Sequence, residues 1–210
     1  MILINPVMKS RLIKLDLFFI SMALILGIMV WQNVIGYVPA RLGLEYDYSI
    51  GNIYNFSKWL AVAFVFFALW THSHQPIHIA LSIVFTGVFV DDAFEVHEKI
   101  NAITARISGI PAHYAGAILL IALSAAAGFL MWVVWSKSDK NSQLQARVVI
   151  ILMGFLVLFG GGLDTLQSDF SGNLAYGIGV FEDGVELLVA STVLVASRIF
   201  LKEYVINKNR

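Results

Sequence analysis

Two short runs of ionisable residues carry the chemistry of this 210-residue chain. Asp91-Asp92-Ala93-Phe94-Glu95-Val96-His97-Glu98 ends an otherwise apolar stretch, and Glu182-Asp183-Gly184-Val185-Glu186 interrupts another. An ionisable group at membrane depth costs roughly 2.5–3.5 kcal/mol on insertion scales, so a chain keeps one for a partner, an ion or a reaction. So many carboxylates cannot all stay ionised together at low dielectric. Either some hold protons or cations neutralise them, and a bound divalent metal is the economical answer. Oxygen-rich ligands with one or two histidines suit Zn, Fe or Mn, and Ca or Mg if no histidine takes part.

The elements that must position these residues are membrane helices. Hydrophobic residues make up 59% of the chain and charged residues only 13%, which excludes an ordinary soluble domain. Six apolar stretches, each long enough as a helix to cross a ~30 Å hydrocarbon core, are read at 13–38, 57–74, 77–98, 112–135, 146–168 and 174–201. The expectation is an all-α polytopic membrane protein, a single six-helix transmembrane bundle over 1–210 with short connections, the longest between the first two spans. The first apolar run is long for a signal peptide, and Gly36-Tyr37-Val38-Pro39-Ala40 is a poor cleavage site, so it reads as a retained helix. There is no cysteine, which removes disulfides and thiolate metal sites.

Lysine and arginine set the orientation. With six spans, ten basic residues (Lys9, Arg11, Lys14, Lys137, Lys140, Arg147, Arg198, Lys202, Lys208, Arg210) share the side of both termini, against Arg41, Lys58, Lys99 and Arg106 on the other. Both termini are therefore expected in the cytoplasm, with the acidic cluster facing outside. Of the fourteen acids only Asp16, Asp139 and Glu203 fall on the cytoplasmic side. Glu45, Asp47 and Asp169 need no more than loop solvation. Counting at 1.5 Å per residue, Asp91, Asp164, Glu182 and Glu186 lie between about one and two turns inside the outer boundary. Three helices thus place carboxylates in one layer.

On an ideal helix Asp91, Glu95 and Glu98 share a face of span three, with Asp92 at its shoulder, and Glu182 and Glu186 form an i, i+4 pair flanked by Asp183. Asp164 shares a face with Gly160 and Gly161, small residues that let another helix approach closely. His97 points roughly 120° from the acidic face and joins it only if span three frays or kinks. His113, at the start of span four, is an additional candidate ligand. For both histidines an interfacial residue meeting water is the competing reading. A purely structural polar cluster competes for the whole set. The paired glutamates resemble di-metal carboxylate bundles only weakly, since no Glu-x-x-His occurs. His72-Ser73-His74-Gln75-Pro76-Ile77-His78 reads as a polar interfacial turn, because Pro76 breaks helical spacing. Tryptophans 31, 59, 70, 132 and 135 sit near span ends, as an aromatic belt does. No phosphate loop, Gly-x-Ser-x-Gly or His-Glu-x-x-His occurs, and no basic stripe suggests nucleic acid.

The two acidic runs, with Leu-Asp-Thr-Leu-Gln at 163–167, resemble a family of uncharacterised bacterial multi-pass membrane proteins. That family pairs DD-x-x-x-x-HE with a later aspartate and E-D-G-x-E. Tyr54-Asn55-Phe56-Ser57-Lys58-Trp59 is also similar, and the resemblance covers about 50 to 200. It implies Asp91, Asp92, His97, Glu98, Asp164, Glu182, Asp183 and Glu186 as site residues. Three functions fit. The first is a membrane metalloprotein, a metal-dependent enzyme acting on an apolar or lipid substrate from the bilayer. The second is a cation or proton transporter. The third is a non-catalytic subunit or assembly factor of a membrane complex.

Overall fold

The computed structural model describes residues 6–32, 42, 49–109, 112–161, 163, 170 and 173–208; within these, the side chains of 6–10, 30, 31, 98, 108, 112–117, 120, 160, 161, 173, 207 and 208 lie outside the description. Every described element is a helix: α1 Pro6–Trp31, α2 Ile50–Ser73, α3 Pro76–Phe94, α4 Val96–Ser108, α5 Ala112–Trp135, α6 Lys140–Leu156 running into a π turn at Val157–Gly161, and α7 Asn173–Lys208.

Local chemistry sets the boundaries. Ser49 caps α2 by accepting the Asn52 amide at 3.1 Å, and Asp139 caps α6 by accepting that of Ser142 at 2.7 Å. α2 closes at His74, a left-handed residue (φ 54°) whose N–H returns to the Trp70 carbonyl at 2.7 Å. Pro76 then starts α3, where its missing N–H costs nothing. This turn is tied to the α5–α6 turn. The Ile77 amide donates to Ser138 Oγ at 3.2 Å and the Asp139 amide to Gln75 Oε1 at 2.9 Å. His78 sits between Ser73 Oγ (2.7 Å) and Gln145 Oε1 (3.1 Å) and is buried, so it is a structural tie rather than the water-facing residue its sequence suggested.

α2 lies between α3 and α7; α1 packs on α7, α4 on α5, and α6 on α3 and α7. The main core joins Trp59, Val62, Ala63, Phe66 and Leu69 of α2 to Ile77, Leu81 and Phe85 of α3 and to Ala190, Val193 and Leu194 of α7. Rings from α2 and α3 alternate along it: Trp59 stacks on Phe85 at 5.7 Å, Phe85 on Phe66 at 5.7 Å, and Phe66 on His78 at 6.5 Å. Trp59 is therefore a core residue, not part of the aromatic belt expected for it. Phe19, Ala23, Val180 and Leu187 form a second cluster between α1 and α7.

The outside of the bundle is apolar. Phe64, Ile83, Ile121, Trp132 and Leu158 are each more than half exposed, far more than a water-facing surface carries. Among the described residues, five helices are long and apolar enough to cross a membrane, at Arg11–Met29, Ile50–Ser73, Pro76–Phe94, Lys140–Phe159 and Leu174–Ile206, and Ile121–Trp135 in α5 is a shorter apolar stretch. The protein is an all-α, membrane-embedded bundle. One element differs from expectation in kind. The helix expected over 77–98 is two helices, because Glu95 adopts a left-handed conformation (φ 51°) and ends α3. Asp91, Glu95 and Glu98 therefore do not line one continuous helix.

The α1–α7 contact is close. The Tyr176 hydroxyl donates to the Ala23 carbonyl at 2.9 Å, and a Cβ on Gly27 would run into the Tyr176 ring. Gly87, on the exposed face of α3, has open space around it. Gly27→Ala is expected to destabilise the bundle by about 1–3 kcal/mol, because a tethered ring cannot give way freely. Gly87→Ala is expected to be neutral or mildly stabilising. Unfolding of both variants in detergent micelles checks this; equal effects would contradict the packing.

Candidate functional site

Both acidic runs are gathered by α2. Asn55 and Trp59 are one turn apart and so share a face. Asn55 Nδ2 donates to Glu186 Oε2 of α7 at 3.4 Å, and the Trp59 side chain lies beside Asp92 of α3. Asp92 and Glu186 thereby come within electrostatic range of each other, with Asp91, His97 and Glu182 close by. Asn55 is buried, and its Oδ1 has no hydrogen-bond partner.

The break at Glu95 builds the neighbouring pair. It turns the chain so that Asp91 Oδ1 accepts the His97 amide at 2.8 Å while Asp91 Oδ2 meets His97 Nδ1 at 2.9 Å. This couple is partly open, at 29% and 45% side-chain exposure. A left-handed non-glycine residue costs about 1–3 kcal/mol, and the capped amide and imidazole contact offset it. Glu95 is drawn away from the cluster, with Oε2 3.7 Å from Lys99 Nζ, which also donates to the Phe94 carbonyl at 2.7 Å. Asp183 neighbours Glu182 on α7 and is half-buried. The side chains of Glu98 and His113, and the whole of Asp164, lie outside the described residues. Among the described residues, no three His, Asp or Glu side chains are arranged as a ready metal-binding group.

About a turn deeper along α2 lies an array that the charge pattern did not reveal. Lys58 is 3% exposed, and its ammonium donates to Asp16 Oδ1 at 3.0 Å, the Leu187 carbonyl at 2.8 Å and Ser191 Oγ at 3.1 Å. Those three bonds exhaust its protons. The Nζ also lies 4.3 Å from the centre of the Tyr54 ring. Asp16 has no exposed side-chain surface. The sequence places Asp16 with the cytoplasmic acids and Lys58 on the opposite side, but the two meet at one level of the bundle. α1 begins at Pro6, which carries Asp16 nearly three turns into the bundle. The Tyr54 hydroxyl lies beside the Asp16 carboxylate and Ser191, although neither it nor Asp16 Oδ2 makes a hydrogen bond of good geometry. A lone acid and a lone lysine within separate apolar runs were the available signal.

Between this array and the His78 end of the bundle stand Val62, Ala63, Phe66, Leu69 and Val193, all essentially without exposed surface. The polar groups described here therefore belong to one half of the bundle. A domain of unknown function (DUF8692) matches residues 53–200. The chain belongs to that family. No curated protein and no solved structure matches it. The DUF8692 region contains Asn55, Lys58, Trp59, the 91–98 run and the 182–186 run, and it leaves Asp16 outside. The DUF8692 lysine thus takes its carboxylate from a helix beyond the matched residues.

Removing one partner of a buried ion pair strands the other charge and costs about 3–5 kcal/mol. Asp16→Leu and Lys58→Met are each expected to destabilise the protein by that amount, whereas the double variant recovers most of the loss. Unfolding in detergent micelles measures the cycle. Simple addition of the two costs would show that the groups do not depend on each other.

Proposed function

We propose that the Asp92/Glu186 layer is a divalent-cation site at the outer end of a six-span membrane protein. One observation carries this reading. Among the described residues, two carboxylates from different helices approach each other inside the bundle, with the neutral Asn55 amide donating to Glu186 and Trp59 beside Asp92, while the nearby Lys58 is spent on Asp16. The unpartnered Asn55 Oδ1 beside them is a third oxygen of the kind that hard cations take. This donor set favours Mn, Mg or Ca over a histidine-rich zinc or iron site, with Mn common to both sets. Bound there, the ion would supply Lewis-acid character to a ligand or water.

The Asp91–His97 couple is the group available for proton transfer. The carboxylate fixes the imidazole orientation, and partial exposure leaves the ring open to a substrate. An apolar or lipid substrate entering from the bilayer fits a site on this surface. In this reading α5 completes the sixth span, and both termini lie in the cytoplasm of a bacterial plasma membrane. The motif resemblance to bacterial multi-pass proteins and the ten-to-four bias of basic residues support it. The apolar layer of Val62, Phe66, Leu69 and Val193 argues against a through-path and hence against a transporter.

Metal analysis of protein purified in mild detergent, with Mn, Mg, Ca, Zn and Fe each offered, is expected to show stoichiometric uptake of one of them. Asp92→Asn combined with Glu186→Gln abolishes that uptake. Trp59→Phe, which removes the indole beside Asp92 and leaves a smaller ring in the core, lowers affinity by about 10–100-fold. Wild-type protein that takes up no metal, or uptake indifferent to the double substitution, would refute the proposal.

A further inference from the structure

α4 is neither a span nor a loop. At 13 residues it is about 20 Å long, too short for a ~30 Å hydrocarbon core. It leaves α3 through the single left-handed residue Glu95. It ends at Gly109 (φ 70°), whose N–H returns to the Ala105 carbonyl at 3.0 Å before α5 begins at Ala112. α3 and α5 pack on each other, and α4 packs on α5. The helix is therefore held against the bundle where two apolar helices leave and enter.

Its faces are sorted. His97, Asn101 and Ala105, at i, i+4 and i+8, are the half-buried side. Ile100, Ile103 and Ile107, at i, i+3 and i+7, form a narrow stripe away from that side and are 40%, 58% and 82% exposed. Lys99 and Arg106 project close to each other beside the stripe, also exposed. The stripe follows directly in the chain on the exposed face of α3, Ile83, Val90 and Phe94, which is lipid-facing in a membrane-embedded bundle.

We propose that α4 lies in the surface of a phospholipid bilayer, with Ile100, Ile103 and Ile107 in the acyl boundary and Arg106 at anionic headgroups, while Lys99 is held by Glu95 and the Phe94 carbonyl. An isoleucine stripe flanked by basic residues on a helix too short to span is the pattern of an interfacial helix. Continuity with the α3 lipid face selects the bilayer as the occupant. Because His97 is on the first turn of α4, the helix also holds the Asp91–His97 couple at headgroup depth. The inference rests on the membrane reading of the bundle and is independent of the cation site.

The cysteine-free chain allows single nitroxide labels at Ile83→Cys, Ile103→Cys, Arg106→Cys and Ile107→Cys, in vesicles of mixed neutral and anionic phospholipid. Collision with oxygen, which concentrates in lipid, is compared with collision with a water-soluble nickel chelate. The expected result is oxygen preference at 83, weaker oxygen preference at 103 and 107, and nickel preference at 106. With 83 still in lipid, nickel preference at 103 and 107 overturns the proposal, as does shielding of both from both reagents, the result of cover by a protein partner or a second copy. Nickel preference at 83 would remove the membrane reading itself, and this proposal with it.

Discussion

A lysine ammonium with no exposure to solvent must find its whole hydration shell inside the protein, and Lys58 does so from two other helices. Asp16 of α1 and the Leu187 carbonyl and Ser191 hydroxyl of α7 use its three protons. Loss of Asp16 would strand the ammonium, at a cost of several kcal/mol, and loss of either neutral acceptor would leave one of its N–H groups unsatisfied. That penalty fixes the register of α2 against α7 more sharply than apolar packing does, since side chains such as Val193 and Leu194 tolerate small slides. With the register fixed, Asn55 stands one turn above Lys58 and Trp59 next to it. These are the two residues that reach Glu186 and Asp92. The candidate site thus inherits its geometry from an ion pair that is no part of it.

The helices were legible because their signal is long and redundant: some twenty apolar residues cannot be anything else in this composition. That Asp91, Asp92, Glu182 and Glu186 come near one another was legible by counting along α3 and α7, whereas Asp164 lies outside the described residues. The break at Glu95 was not. Asp91-Asp92-Ala93-Phe94-Glu95-Val96 contains no glycine or proline, and a left-handed glutamate is chosen only because the Asp91 side chain can then cap the His97 amide. That is a contact between residues six apart which helical periodicity does not express. The kink is what turns His97 toward the acid from which an ideal helix points it away.

Asp16 and Trp59 were misread for a common reason. Each was assigned by distance from the nearest apparent span end, Asp16 to the basic residues before it and Trp59 to an aromatic belt. A span end is a fact about a helix in its neighbours' company. Both lie within a turn of the start of the expected spans 13–38 and 57–74, but α1 starts at Pro6 and α2 at Ile50, which puts both more than two turns into their helices. Their roles follow from that depth: Asp16 as the counter-charge to Lys58, Trp59 as a core ring stacked on Phe85 and lying beside Asp92. Since the DUF8692 match begins at residue 53, the dependence of Lys58 on Asp16 also makes α1 part of the working unit, although it lies outside the family region.

Lys58 and Asp16 meet inside the bundle, and solid-state NMR of the protein in lipid tests that contact. With 15N-lysine and 13C-aspartate labels, one lysine Nζ resonance is expected to show strong dipolar coupling to an aspartate Cγ, absent from the Lys58→Met spectrum and uncoupled in Asp16→Leu. A Lys58 resonance that shows no aspartate coupling and exchanges with water like a surface lysine would contradict it.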